Sequence, residues 1–133
     1  MLTRYRTSLL FLTAALLVAC NQASDRNIRP SQTSNEIAVA NLELGIEYMR
    51  QGAYENALKN LEKAKEADPG YSPTYNVLGL FYQRIGENNK AESNFKRALS
   101  LNSNDSSTLN NYGSFLCAQK RLADSEAAFK RAA

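Results

Sequence analysis

Residues 72–105 read SPTYNVLGLFYQRIGENNKAESNFKRALSLNSND, and this stretch contains two apolar patterns on either side of a glycine. Leu78 and Tyr82 lie four residues apart before Gly86, which is the spacing of one helix face. After the glycine, apolar residues recur at intervals of four and three, the period of an amphipathic helix. The stretch therefore predicts two antiparallel helices of about 14 residues each, with a turn at Gly86.

The same pattern occurs 34 residues earlier and 34 residues later. A glycine, two small residues and a large apolar residue keep this interval: Gly45, Gly79 and Gly113; Ala57, Ala91 and, as a departure, Ser125; Ala64, Ala98 and Ala132; Leu61, Phe95 and Phe129. We expect the glycine to let the paired helix approach closely, and the small residues to flank the large one. The units are residues 38–71, 72–105 and 106–133, of which the last is incomplete.

A 34-residue period with this pattern resembles the tetratricopeptide repeat. The resemblance implies an all-α solenoid of antiparallel helix pairs whose first helices line a groove that binds protein. Its groove positions correspond here to Leu42, Ile46, Met49, Asn76, Leu80, Asn110 and Asn111. Apolar side chains would supply burial, and amides would bond a peptide backbone. The alternative for Leu42 and Ile46 is that the chain just before them covers both.

Turns and caps between the predicted helices follow from residue type. Turns are expected at Gly52, at Gly86 and near Lys120. Ser72 is expected to cap the second unit, with Pro73 as its first helical residue.

The amino terminus has a different character. Arg4 and Arg6 precede an apolar run of about 12 residues, the length of a secretory signal and too short to span a bilayer. The run ends in Leu17-Val18-Ala19-Cys20, which resembles the bacterial lipobox. The resemblance implies that residues 1–19 are a signal peptide removed after Ala19, and that Cys20 becomes lipidated. An ordinary signal peptide or an uncleaved anchor with an incidental cysteine are the alternatives.

Residues 20–36 are predicted to be the lipidated cysteine and a flexible tether before the helical part at 37–133. Asn, Gln, Ser and Pro dominate this stretch, and such a composition cannot bury enough apolar surface to fold. In lipoproteins of this class a residue other than Asp after the lipidated cysteine is typical of outer-membrane sorting. Asn21 therefore predicts an outer-membrane protein that faces the periplasm.

The composition of the chain argues against several classes of function. The chain has a net charge of +3. Without residues 1–19, which include Arg4 and Arg6, 14 basic and 13 acidic residues leave +1. No basic stripe indicates nucleic acid. The chain contains no histidine, and no catalytic or phosphate-binding motif occurs. The sequence thus predicts no enzyme, metal, cofactor or small-molecule substrate.

With Cys20 assigned to the lipid, Cys117 is the one cysteine left over. Three alternatives are open for its thiol: it is buried in a helix, it pairs with another molecule, or its partner has been lost.

Two segments narrow the family. Residues 108–129, TLNNYGSFLCAQKRLADSEAAF, and residues 73–99, PTYNVLGLFYQRIGENNKAESNFKRAL, are similar to the type IV pilus biogenesis and stability lipoproteins, the pilotins of that system. The resemblance implies a lipoprotein that binds the pilus secretin and promotes its localisation and multimerisation. Members of that family carry more repeats, so this chain is expected to be truncated.

Two other functions stay open. One is a general periplasmic adaptor that uses the same groove to scaffold other envelope proteins. The other is an enzyme whose catalytic part follows the repeats.

Overall fold

The computed structural model describes residues 33–133, which form six α-helices and, within that range, no strand. The helices are α1 (Ser34–Arg50), α2 (Tyr54–Ala67), α3 (Ser72–Arg84), α4 (Asn88–Leu101), α5 (Ser106–Ala118) and α6 (Leu122–Ala132). Each odd-numbered helix packs on the helix that follows it, and the pairs contact each other through α2–α3 and α4–α5. The prediction of an all-α array of repeated helix pairs is confirmed.

Helix α1 begins at Ser34, three residues before the predicted boundary at residue 37. The Thr33 hydroxyl accepts from the Glu36 amide at 3.2 Å, and the Glu36 carboxylate accepts from the Thr33 amide at 2.8 Å. This capping box satisfies two amide donors at the helix start. The predicted signal peptide, Cys20 and the tether up to residue 32 lie outside the described residues.

The glycines of the first helices lie directly beneath the large residue of the second helices. A Cβ atom on Gly79 would stand 2.6 Å from Cε1 of Phe95, and one on Gly45 would stand 2.6 Å from Cδ2 of Leu61. Leu61 and Phe95 are both 0% exposed. The missing side chain thus fixes how closely the two helices of a unit pack.

Small residues on the second helices complete this contact. Ala57, Ala64, Ala91 and Ala98 are all completely buried. Ser125 stands at the position of Ala57 and Ala91, and it is buried as well. Its hydroxyl donates to the Gly113 carbonyl oxygen at 2.8 Å, so the departure from alanine leaves no buried polar group unpaired.

The turns within units lie where the 34-residue interval predicts them. Gly52 and Gly86 have φ angles of 75° and 81°. Lys120 occupies the third equivalent position with a φ of 62°, a conformation that costs a non-glycine residue strain.

The prediction for the start of α3 is wrong. Tyr71 is the N-cap and Ser72 is the first helical residue. The Ser72 hydroxyl donates to the Ala98 carbonyl oxygen at 3.1 Å in a buried contact between α3 and α4. A tertiary hydrogen bond therefore takes the hydroxyl that a cap would use.

The apolar interior is a continuous stack of two clusters. The first buries Leu61, Leu78 and Phe81, and the second buries Phe95 and Phe115, each with further members. Leu80 and Tyr82 of α3 pack against both clusters. Each unit thereby buries its apolar face only by stacking on its neighbour, as in other repeat proteins.

A carboxylate joins the second and third units. The Glu92 oxygen Oε1 lies 2.8 Å from Nη1 of Arg121 and 2.9 Å from Nζ of Lys96, and it accepts from the Tyr112 hydroxyl at 3.0 Å. These donors, Arg121 first, hold the pKa of Glu92 at about 2, below its ordinary value of 4.5. Burial and the bond to Glu92 raise the pKa of Tyr112 to about 12.

Substituting the central glycine should cost more stability than substituting the terminal one. Gly79→Ala would press a methyl group onto Phe95, which is 0% exposed and has no room to move. We expect a loss of about 2 kcal/mol in the free energy of unfolding. Gly113→Ala meets Phe129, which is 41% exposed and free to shift, so the loss should be under about 1 kcal/mol. Urea unfolding measures both, and equal losses would contradict this account of helix packing.

The Glu92 contacts should make stability depend on pH. Because the pKa is lowered in the folded state, their contribution is present above about 4.5 and is lost as the pH falls toward about 2. The side chain is 23% exposed, so we expect Glu92→Gln to cost only about 1 kcal/mol at neutral pH. The difference between the two proteins in urea unfolding should shrink below pH 4.5. A difference that is constant with pH would exclude the Glu92 charge as its source.

Candidate protein-binding groove

A groove of about 560 Å³ runs between the first helices of the first two units. Helices α1 and α3 contact each other along it. Its lining residues come only from these two helices: Ile46, Met49, Arg50, Val77, Leu80, Gln83 and Arg84. The groove thus follows from the stacking of the units, since stacking brings successive first helices side by side.

The walls of the groove are mostly apolar. Ile46 is 37% exposed, whereas Met49 is 7% exposed and is anchored in the first core cluster. Leu80 and Val77 are half-buried against the same cluster. Three of the predicted groove residues, Ile46, Met49 and Leu80, are therefore brought together here.

Two arginines give the groove a positive charge. Nη1 of Arg84 donates to the Met49 carbonyl oxygen at 3.1 Å, at the carboxyl end of α1. Nη1 of Arg50 lies 3.5 Å from a carboxylate oxygen of Glu47, and both side chains are largely exposed. None of the lining residues is acidic. The groove therefore offers cationic groups next to an apolar wall.

The sequence analysis missed the interaction that orients Arg84. The 34-residue interval puts Arg50 and Arg84 at the same repeat position, so the sequence predicts both at the groove. The bond from Arg84 to Met49 could not be derived from that spacing.

The predicted asparagines are divided between two roles. Nδ2 of Asn111 donates to Oδ1 of Asn76 at 3.0 Å, which links α5 to α3. Asn76 is buried and lies one turn before Leu80 on α3. Asn110 is exposed. The Asn76 amide is therefore engaged within the protein, and Asn110 is the more accessible of the two neighbours on α5.

Two other residues lie elsewhere than the sequence suggested. Leu42 is 6% exposed and belongs to the first core cluster, so little of its side chain is available to a partner. Ile46 is exposed, and the preceding chain that would cover it in the alternative interpretation lies outside the described residues. Cys117 is an exposed free thiol rather than a buried one.

Residues 33–133 contain neither a membrane-spanning helix nor a cluster of metal-binding side chains. None of the helices there has the length and apolar character that crossing a bilayer requires. In the same range no three acidic or cysteine side chains are grouped closely enough to hold a metal ion.

The sequence pattern of the tetratricopeptide repeat matches residues 38–71 and 72–105. Together these matches cover 68 of the 133 residues, which is half of the chain. The chain belongs to the tetratricopeptide-repeat family. Helices α5 and α6 form the third pair, and repeats of this family serve protein–protein interaction.

Two solved structures of tetratricopeptide-repeat proteins are similar to this chain. One is PilF of Pseudomonas aeruginosa, with 32% identity over 74% of this chain and a TM-score of 0.72. The other is PilW, described as a widely conserved type IV pilus biogenesis factor, with 34% identity over 74% of this chain and a TM-score of 0.71. The chain spans 45% of the length of each of these two relatives.

A third tetratricopeptide-repeat structure shares only the fold. It is the second repeat domain of Spaghetti (RPAP3) bound to an HSP90 peptide, with 18% identity over 74% of this chain and 91% of that chain, and a TM-score of 0.67. A comparison with curated proteins gave no match.

Proposed function

We propose that this chain is an outer-membrane lipoprotein whose groove binds a segment of the type IV pilus secretin and thereby promotes the localisation and multimerisation of the secretin. The observation that carries the proposal is a basic, apolar groove in a protein similar to a pilus biogenesis factor. Because the chain spans less than half of PilW, the activity of a complete pilus factor is an inference for this chain.

The groove favours a particular kind of peptide. Ile46, Met49 and Leu80 provide an apolar wall that would bury one or more side chains of a bound segment. Arg50 and Arg84 would attract an acidic residue next to that segment. The partner segment is therefore expected to combine a large apolar side chain with a nearby carboxylate.

The anchor in this proposal is Cys20. The residues Leu17-Val18-Ala19-Cys20 have the form of a lipobox. Two or more acyl chains hold a protein firmly on a membrane, whereas a single chain holds it weakly. A triacylated Cys20 would keep the repeats on the periplasmic face of the membrane.

The mechanism is one of positioning and involves no chemical step by the repeats. The lipid confines the protein to the membrane, and the groove holds a secretin subunit. Subunits held near one surface meet at a higher effective concentration than subunits free in the periplasm. Ring assembly would be favoured for that reason.

The groove is tested by two matched variants on α1. Ile46 and Ile37 are 37% and 38% exposed, and they lie nine residues apart, about two and a half turns, on opposite faces of the helix. Ile46→Glu would place a charge in the groove and should weaken secretin capture by about tenfold or more. Ile37→Glu should leave capture unchanged. Pull-down of purified secretin measures both.

The comparison of the two variants is decisive when circular dichroism shows the same helicity for both. Undiminished capture by Ile46→Glu would place the contact outside the groove. Secretin multimers and pili that are normal without the gene would instead support the general adaptor.

The anchor is tested separately. Cys20→Ala removes the thiol that would carry the lipid, so the protein should move from the membrane fraction to the soluble fraction after cell lysis. Immunoblotting of the separated fractions detects the change. A variant that stays in the membrane fraction would contradict the proposed lipid anchor, whatever the groove binds.

A further inference from the structure

The groove contains the same pair of residue types on each of its two helices. Ile46 and Arg50 lie four residues apart on α1, and Leu80 and Arg84 lie at the same repeat positions on α3. All four residues line the groove. Residues at this spacing share a helix face and are separated by about 6 Å along the axis. The groove therefore has an apolar row, Ile46 and Leu80, beside a basic row, Arg50 and Arg84.

Both rows cross the groove from α1 to α3 and stop there. In α5 the equivalent positions hold Ser114 and Ala118. The Ser114 hydroxyl donates to the Asn110 carbonyl oxygen of its own helix at 2.9 Å. Neither residue continues its row, because Ser114 is polar and Ala118 carries no charge. The site is therefore two helices wide and belongs to the first two units.

The two arginines of the basic row are held differently. Nη1 of Arg84 donates to the Met49 carbonyl oxygen at 3.1 Å, a part-buried contact that keeps the guanidinium at the carboxyl end of α1. The Arg50 side chain is 75% exposed, and its contact with Glu47 is 3.5 Å long. A guanidinium carries five N–H donors, so both side chains have donors beyond those used in these contacts. The basic row thus offers carboxylates one anchored and one exposed partner.

The apolar part of the groove is short in the direction of the helices. One turn before Leu80, Asn76 is buried and accepts from the Asn111 amide. One turn before Ile46, Leu42 is only 6% exposed. A bound amphipathic helix needs apolar contacts over two or more turns. The groove offers one apolar turn and then the arginines, so it fits a helix poorly.

An extended segment that crosses the two helices fits both rows. Neighbouring helices pack with their axes about 8–10 Å apart. In an extended chain, side chains two residues apart lie on the same side and are separated by about 7 Å, whereas adjacent side chains point to opposite sides. One set of alternate side chains would then face the apolar row, and the other set would face the basic row.

We infer that the groove selects an extended segment in which large apolar and acidic residues alternate over four positions. The apolar side chains pack on the apolar row, and the carboxylates between them bind the basic row. The inference rests on the proposed function in one respect, since it takes the groove as the protein-binding site. It adds an order of residues to the composition, because two apolar and two acidic residues in separate blocks do not match both rows.

Fluorescence anisotropy of three labelled peptides with the full chain in detergent tests this pattern. The alternating peptide is Gly-Ser-Leu-Asp-Leu-Asp-Ser-Gly, and the amide peptide has Asn in place of both Asp residues. The block peptide, Gly-Ser-Leu-Leu-Asp-Asp-Ser-Gly, has the composition of the alternating peptide but places one Leu and one Asp on each side of an extended chain. The alternating peptide should bind about tenfold more tightly than either of the others, because it alone completes both ion pairs and both apolar contacts. Added salt should reduce its advantage over the amide peptide.

Two double variants show whether the arginines cause the preference. Arg50→Gln with Arg84→Gln should bind the alternating and amide peptides equally. Lys59→Gln with Lys63→Gln is the matched control, because it removes the same charge from exposed positions of α2 outside the groove, and it should keep the preference. Circular dichroism verifies that both variants are folded. The comparison of the peptides on the unaltered chain decides the question even where a variant does not fold.

Equal binding of the alternating and block peptides would overturn the inference, and so would equal binding of the alternating and amide peptides. Binding of none of the three at about 1 mM protein would do the same. Failure of the proposed function is distinguishable from these results. A chain that prefers the alternating peptide but does not capture purified secretin supports the inference and loses the secretin as its partner. Capture of secretin without a preference among the peptides refutes the inference alone.

Discussion

The contact between a glycine on one helix and a large side chain on its partner determines the geometry of this protein. Phe95 occupies the space that a side chain on Gly79 would fill, and Leu61 does the same above Gly45. The helices of a pair are thereby held at one close distance. Because every unit has this spacing, stacked units bring α1 and α3 side by side. The groove is a consequence of that stacking.

Polar contacts fix the position of each unit relative to the next. The Ser72 hydroxyl reaches the Ala98 carbonyl, and Asn111 bonds Asn76 across two first helices. Glu92 joins α4 to α5 and to the turn before α6. Apolar stacking alone would tolerate a small slide between neighbouring units. Hydrogen bonds at these distances have strict geometry, so they favour one arrangement. The lining of the groove therefore has defined positions before a partner arrives.

The sequence predicted the periodic features well, because a 34-residue interval assigns equivalent roles to equivalent residues. It predicted the positions of the helix pairs and of the turns at Gly52 and Gly86. It also predicted that Ile46, Met49 and Leu80 lie beside one another. It did not predict that Leu42 lies in the core, where the equivalent residue of the second unit, Asn76, is buried as well. It also missed the cap at Thr33, although Thr33-Ser34-Asn35-Glu36 has the form of a capping box.

Contacts between residues far apart in sequence could not be predicted in this way. The bond from Arg84 to the Met49 carbonyl depends on the side-chain conformation and on the end of α1. The same holds for Ser72, whose hydroxyl had two possible partners, a local amide and a distant carbonyl. Local propensity favours the local amide, but the packing of α3 against α4 brings the hydroxyl to the distant carbonyl oxygen. Tertiary packing selects between such partners, and the spacing of residue types along the sequence does not indicate which partner is selected.

Photo-crosslinking in pilus-producing cells tests most directly whether the groove holds the secretin. Gln83 lines the groove, and Lys63 is exposed on α2, away from the lining residues. A photoreactive amino acid in place of Gln83 should give a covalent product that contains the secretin subunit, whereas the same amino acid in place of Lys63 should give none. Products of equal yield from both positions, or none from Gln83 in cells that assemble pili, would contradict the account.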